Sequence, residues 1–344
     1  MRRCLAILAT ATVAIFIGAP AAFACGGLVA PNGAVKLVHT TTLVAYHDGV
    51  EHYVTSFEYA GGGTKFGSII PLPGVPTSVT RGGSWTLQRL ELEVRPPAPE
   101  AFNGPAAAAP AHGPAQVLLR THVDALTITV VKGGGPAVTA WVRQQGFKVS
   151  PDLPAMLSFY AVRSPIFLTA TFDPAAEAAR GLHLGDGTPV DIAIPLSNPW
   201  VPLHILSLAK DPDDIVQADV FMLSDRQPAL LSGPGVQLRV SRPAEPSLLN
   251  DLRSDRGMGW IPTSAWLSYV TVDAPASSLT YDLAADVSGN GHPSFTAAAL
   301  VPAVTLRAPT SNQSGRWPIA VLTGIGFLML LLSTIGYIHS RRRA

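Results

Sequence analysis

Two apolar segments bracket this 344-residue chain, and they constrain its fold and placement more than anything between them. Arg2 and Arg3 precede an uncharged stretch from Leu5 to Gly18, followed by Pro20 and then Ala22-Phe23-Ala24, a small-x-small cleavage pattern. That arrangement reads as a signal peptide over 1–24, with Cys25 as the first mature residue. The second segment, placed at 318–338, contains an uncharged run from Ile319 to Ile338. At about 1.5 Å per helical residue such a run covers the ~30 Å hydrocarbon layer of a bilayer. Trp317 and Tyr337 flank it as interface aromatics, and Arg341, Arg342 and Arg343 form a basic cluster that the positive-inside rule assigns to the cytosol. Both signals agree on one layout: a single-pass protein of the cytoplasmic membrane, with an extracytoplasmic domain over 25–302, a juxtamembrane linker over 303–317 and a cytoplasmic tail over 339–344.

Charge excludes one class of partner. The 24 basic residues less Arg2, Arg3, Arg316 and the three tail arginines leave 18 against 23 acidic ones, a net charge near −5 outside the membrane. No basic stripe remains to neutralise phosphates, so nucleic acid is not an expected partner. With Cys4 removed in the signal, Cys25 is the one remaining thiol. An intramolecular disulfide, a zinc knuckle and a CxxC redox site are therefore excluded, and the domain must be held by its core. Cys25 at the cleavage point also marks a candidate lipidation site, although Ala22 stands where a branched residue usually precedes an acylated cysteine.

Between the anchors the pattern is strand-rich. Thr41 to His47 and Val50 to Tyr59 flank Asp48-Gly49, which predicts a tight hairpin. Val35 to Val38 and Phe66 to Ile70 read as strands, the latter stopped by Pro71. Ser84 reads as the N-cap of a helix over Trp85 to Val94. Residues 95–116 are rich in proline and alanine and read as a loop or linker. Val117 to Val131 reads as one strand, and Pro136 opens a helix that Gly146 ends. A short helix follows Ser150-Pro151, and another covers Ser247 to Arg253. The remaining strands are expected over Ile166 to Phe172, Asp191 to Ile194, Ile215 to Leu223, Val236 to Val240, Trp266 to Val272 and Leu279 to Leu283. Strands outnumber helices without alternating with them. The expected class is α+β and β-dominated, with antiparallel or mixed sheets in a sandwich-like arrangement, plus the C-terminal membrane helix.

Several segments resemble a known family. These are Cys25-Gly26-Gly27, the stretch Phe66-Gly67-Ser68-Ile69-Ile70-Pro71-Leu72-Pro73, Trp141 to Phe147 and Ala218 to Asp225. Together they are similar to exported bacterial proteins grouped as a domain of unknown function, number twenty-three-thirty, over roughly Cys25 to Ala284, in its actinobacterial membrane-anchored branch. The resemblance implies a signal peptide and a C-terminal membrane helix. Many members carry a further cysteine soon after the Cys-Gly-Gly start, and this chain does not. The resemblance supplies no catalytic residue.

Signatures of common hydrolases and nucleotide-binding proteins are absent from the sequence. His47 and His52 flank the Asp48-Gly49 turn and share one face at diagonal positions, roughly 7–8 Å apart, a candidate metal pair with His39 as a distant third ligand. Asp286, Ser288 and Asn290 match the first half of a calcium loop, but Ala297 stands where the twelfth-position glutamate belongs. Asp211, Asp213 and Asp214 form an acidic cluster that reads as capping a strand entrance or as a solvated group, with calcium binding the alternative. Five tryptophans outside the membrane flank read as core residues, with Trp200, held between Pro199 and Pro202, either a ring presented by a rigid loop or a strand entry. No cofactor is expected. The sequence favours a non-catalytic binding or structural module facing an envelope protein or cell-wall ligand; the alternative is an extracytoplasmic hydrolase or metal-dependent enzyme with an unfamiliar site.

Overall fold

A computed structural model describes residues 22–23, 27–29, 39–57, 63–64, 67–95, 106–107, 115–124, 126–172 and 188–300. Apart from Ala22 and Phe23, the expected signal peptide lies outside the described residues. So do Cys25, the strand expected over Val35 to Val38, the expected juxtamembrane linker, the expected membrane helix with Trp317 and Tyr337, and the tail with Arg341, Arg342 and Arg343. No helix among the described residues is long and apolar enough to cross a membrane.

The largest sheet contains β1 (Ala22–Phe23), β3 (His39–His47), β4 (Val50–Phe57), β7 (Ser78–Arg81), β12 (Thr188–Pro195), β14 (Ile215–Ser224), β16 (Val236–Pro243) and β17 (Trp266–Pro275). Its order is β16-β17-β14-β3-β4-β12-β7, with β1 beside the start of β3. The pairings of β14 and β1 with β3 are parallel, and the others in this sheet are antiparallel. A second sheet is antiparallel throughout and contains β2 (Gly27–Val29), β6 (Gly67–Leu72), β9 (Gln116–Val123), β10 (Leu126–Lys132) and β11 (Ile166–Phe172), in the order β2-β6-β11-β10-β9. Two small sheets join β13 (Trp200–Val201), β18 (Leu283–Asp286) and β15 (Ala229–Leu231), and β5 (Gly63–Thr64) with β8 (Ala106–Ala107). The described helices are α1 (Thr86–Val94), α2 (Gly135–Gln144), α3 (Leu153–Ala161) and α4 (Pro246–Ser254). The β-dominated, mixed-sheet class read from the sequence is what these residues form.

The large sheet is buried on both faces, which explains why its central strands read as near-continuous apolar runs instead of alternating ones. One face carries Val44, Tyr53, Ile192, Val220 and Met222 into a core shared with the second sheet, α2 and α3. The other carries Leu43, Ala45, Val54, Phe221 and Tyr269 beneath Leu87 and Leu90 of α1 and Leu248, Leu249 and Leu252 of α4. Each such side chain stabilises the fold by about 1.5–3 kcal/mol relative to exposure. The described residues through Leu300 form one compact unit.

The Asp48-Gly49 hairpin forms as expected: φ is 49° at Asp48 and 79° at Gly49, and His47 pairs with Val50. Both signs are those of a type I′ turn. Pro136 and Gly146 bracket α2 as anticipated, with Gly146 at φ 84°. Gly135 is more than a turn residue: a Cβ there would lie 2.2 Å from Ser158 Oγ, so its bareness lets α2 and α3 meet.

Four local expectations are corrected. Pro71 does not stop its strand, because β6 continues to Leu72. Beyond Ile69, β6 pairs among the described residues with β11 alone, so an edge position tolerates the missing N–H. The stretch Val117 to Val131 is a hairpin, not one strand, folding back at Asp124 with φ 51°. Leu279 to Leu283 is largely a loop after a short 3-10 turn, and the strand begins at Leu283. Ser84 does not cap α1 with its own side chain; that task falls to a residue far along the chain.

Candidate functional site

Asp255 supplies that cap. Its buried carboxylate accepts hydrogen bonds from Ser84 N at 3.1 Å, Trp85 N at 2.9 Å and Thr86 Oγ1 at 2.9 Å. The N–H of the N-cap Trp85, one of those that a helix start leaves unsatisfied, and the N–H before it are thus met by a residue just past the end of α4, which ties the two helices together. Gly83 must be bare for this to happen, since a Cβ would sit 2.3 Å from Asp255 Oδ2.

Two other buried carboxylates act as internal joints. Asp219 Oδ1 accepts from Arg95 Nη2 at 2.8 Å and Tyr269 Oη at 2.7 Å, while its Oδ2 lies 2.8 Å from His39 Nε2. Burial pushes Asp219 up, but the hydrogen bonds from His39 and Tyr269 and the His39 and Arg95 charges outweigh it, so its carboxyl lies below the ordinary value. The neighbouring Glu91, which accepts from Thr41 Oγ1 at 2.6 Å, is instead raised, with burial the main cause. On the opposite face Asp282 Oδ1 accepts from Tyr160 Oη at 2.9 Å, Leu203 N at 2.7 Å and His204 N at 3.0 Å. Its Oδ2 lies 2.7 Å from Arg163 Nη2 in an ion contact whose angle departs from hydrogen-bond geometry. Arg163 is caged by the rings of Phe159, Tyr160 and Trp200 at 4.4, 5.0 and 5.1 Å. Trp200 is therefore a buried wall of an ion pair within β13, not an exposed ring.

The sequence-selected histidines fall on the helix-covered face, each on its own carboxylate. His47 Nδ1 lies 2.6 Å from Asp225 Oδ1, His52 Nδ1 lies 3.1 Å from both oxygens of Asp191, and His39 is engaged by Asp219. His52 also stacks on Trp260 at 3.7 Å between ring centroids. Among the described residues no group of three or more His, Cys, Asp or Glu side chains is arranged to hold a metal ion. Asp286 organises its own loop: Oδ1 accepts from Ser288 N at 2.8 Å and Ser288 Oγ at 2.5 Å, and Oδ2 from His292 N at 2.8 Å. Asn290 donates its backbone N–H to Ser288 Oγ at 3.2 Å, so the half calcium motif is knit by internal donors. In the acidic cluster the N–H of Asp211 bonds Asp214 Oδ2 at 3.1 Å, which makes a turn at the entrance of β14.

One concave site joins three separated parts of the chain. A pocket of about 450 Å³ is lined by Thr80 and Arg81 of β7, Asp124 of the β9–β10 turn, and Arg256 and Gly257 just after α4. Arg81 Nε bonds Asp124 Oδ2 at 2.7 Å and its Nη1 bonds Ser84 Oγ at 3.0 Å. Gly257, at φ 94°, presses its loop onto β7 so closely that a Cβ would sit 2.6 Å from the Arg81 carbonyl oxygen. Thr80 stands opposite Asp191, the partner of His52, so the carboxylate that engages one sequence-selected histidine lies a cross-strand step from this pocket. Sequence reasoning missed Arg81, Asp124 and Arg256. Asp255-Arg256-Gly257 is legible as a helix-ending loop, but no local signal says that it meets a strand about 170 residues earlier.

No family profile and no curated relative matches the chain. Among solved structures, baculovirus P35 aligns with a TM-score of 0.40 at 9% identity, over 74% of this chain and 97% of that one. P35 in complex with caspase-8 aligns at 0.34 and 9%, over 72% and 90%. Alignment at that level is below what a shared fold requires.

Proposed function

We infer that this chain is an exported, membrane-tethered binding or structural module, displayed at the outer face of a bacterial cytoplasmic membrane by the helix at 318–338. The resemblance to the exported domain-of-unknown-function family, the signal-like segment over 1–24 and the basic tail support the topology. The observation that carries the non-catalytic reading is how the buried carboxylates are used. Asp219, Asp255 and Asp282 are engaged by donors from other elements, as cross-links expected of an exported domain with one remaining thiol. The pocket between β7, the β9–β10 turn and the loop after α4 is the natural place for a small ligand of the envelope, because it is concave and its walls are tied by the Arg81–Asp124 contact and by the Asp255 bonds to the start of α1.

Protease treatment of intact cells and spheroplasts producing the full chain, tagged after Ala344, tests the topology. The expected outcome is loss of the folded domain on the outside with a protected tag; digestion of the tag in intact spheroplasts overturns it. Co-sedimentation of the detergent-solubilised full chain with purified envelope fragments tests the binding role. Retention that survives mild salt supports it, and absence from the pellet speaks against it.

A further inference from the structure

We propose that the pocket formed by Thr80, Arg81, Asp124, Arg256 and Gly257 is a binding site for an oxyanion, the carboxylate or phosphate of a small polar ligand. This rests on the binding-module reading and names the chemistry that such a ligand presents. Two arginines and one aspartate are among the residues lining the pocket, an excess of one positive charge in a domain whose overall balance is acidic. Arg81 is held at two points, Nε by Asp124 and Nη1 by Ser84, while its Nη2 and all the donors of Arg256 make no hydrogen bond among the described residues. Guanidinium donors match the planar edge of a carboxylate or the face of a phosphate, and a fixed fork loses less entropy on binding than a free one.

The positioning is built in. Asp255, directly before Arg256, is buried and bonded to the start of α1. Gly257, directly after it, is pinned against the Arg81 carbonyl. Arg256 therefore projects from a two-point anchor instead of a free loop. Thr80 adds a hydroxyl that can donate to the same anion. At about 450 Å³ the pocket has room for an anion carried on a larger polar molecule.

Titration calorimetry on the full chain in neutral detergent, with inorganic phosphate and with an N-acetylated dipeptide in separate arms, tests this. Saturable binding of either probe supports the site, and the arm that saturates more tightly identifies phosphate or carboxylate as the head group. Arg256→Ala is expected to weaken that probe about tenfold, as loss of a charge-assisted contact should. Asp124→Asn, which keeps a side chain suited to the positive φ at that turn, is expected to tighten it about threefold by removing the opposing charge. Neither probe binding, or Arg256→Ala and Asp124→Asn both leaving affinity unchanged, overturns the proposal. Its failure is distinct from failure of the module reading: a chain that binds neither probe yet sediments with envelope fragments removes the pocket and keeps the module. Probe binding by a chain that ignores envelope fragments keeps the pocket and removes the module.

Discussion

Glu51 shows what a single inward-facing residue can do to this fold. It lies on β4 opposite Tyr46 and Ile194, fully buried, and neither carboxylate oxygen has a hydrogen-bond partner among the described residues. Burial holds its carboxyl well above the ordinary value of 4.5, so the folded protein keeps a proton that the unfolded chain releases. The contribution is full below about pH 4.5 and is lost as pH rises towards the folded value, at about 1.4 kcal/mol per pH unit. Glu51→Gln should therefore raise the melting temperature at pH 7 and leave it nearly unchanged at pH 4; equal shifts at both pH values would contradict a buried neutral acid. His204 behaves in the opposite sense. Burial, then the Arg163 charge, lowers its imidazole to about 4, against the attraction of Asp152. Its contribution is present above pH 6.5 and is lost as the pH falls towards 4, because the unfolded chain takes up the proton first. Replacement of His204 by Gln should flatten the stability loss between pH 6.5 and 4 seen in urea titrations of the parent chain.

At the scale of elements, α1 begins where a distant carboxylate meets it. Removing Asp255 by Asp255→Ala strips two backbone N–H groups and the Thr86 hydroxyl of their acceptor, at an expected cost of about 2 kcal/mol or more. Hydrogen exchange should then lose protection in α1 first while α2, which Asp255 does not touch, keeps its own; uniform loss would point to a global effect instead of a cap. The elements themselves were largely legible. The turn at Asp48-Gly49, the Pro136 start and Gly146 stop of α2, and strands such as β11 and β14 follow from steric preferences within a few residues. Misreadings occurred where a local signal met a nonlocal condition. Pro71 is tolerated because of which strands lie beside β6, and Ser84 is displaced as a cap because Asp255 arrives from elsewhere.

For the whole molecule, the Asp282–Arg163 contact ties α3, the loop before β14 and β18 into one body. Asp282→Ala leaves Arg163 buried among three aromatic rings without its countercharge, and should destabilise the fold by about 3–5 kcal/mol. Equilibrium denaturation of the full chain in detergent measures this; a loss near zero would mean that the contact is dispensable. The candidate site was less legible than the fold. His47, His52 and Asp286 stand out in the sequence because their types and spacing suit metals, yet the structure commits each to a neighbouring group. The pocket residues Arg81, Asp124 and Arg256 carry no local signature.

The amino-acid sequence by itself determined the β-dominated class, the Asp48-Gly49 hairpin, the limits of α2 and most strand positions, because period, turn chemistry and proline or glycine geometry act over a few residues. Tertiary structure alone decided that the large sheet is covered on both faces, that Asp255 caps α1, that Glu51 is sealed without a partner and that Arg81 and Arg256 share a pocket. These depend on strand order and on contacts between residues more than a hundred positions apart. Burial and electrostatic environment are properties of that assembly, not of any segment.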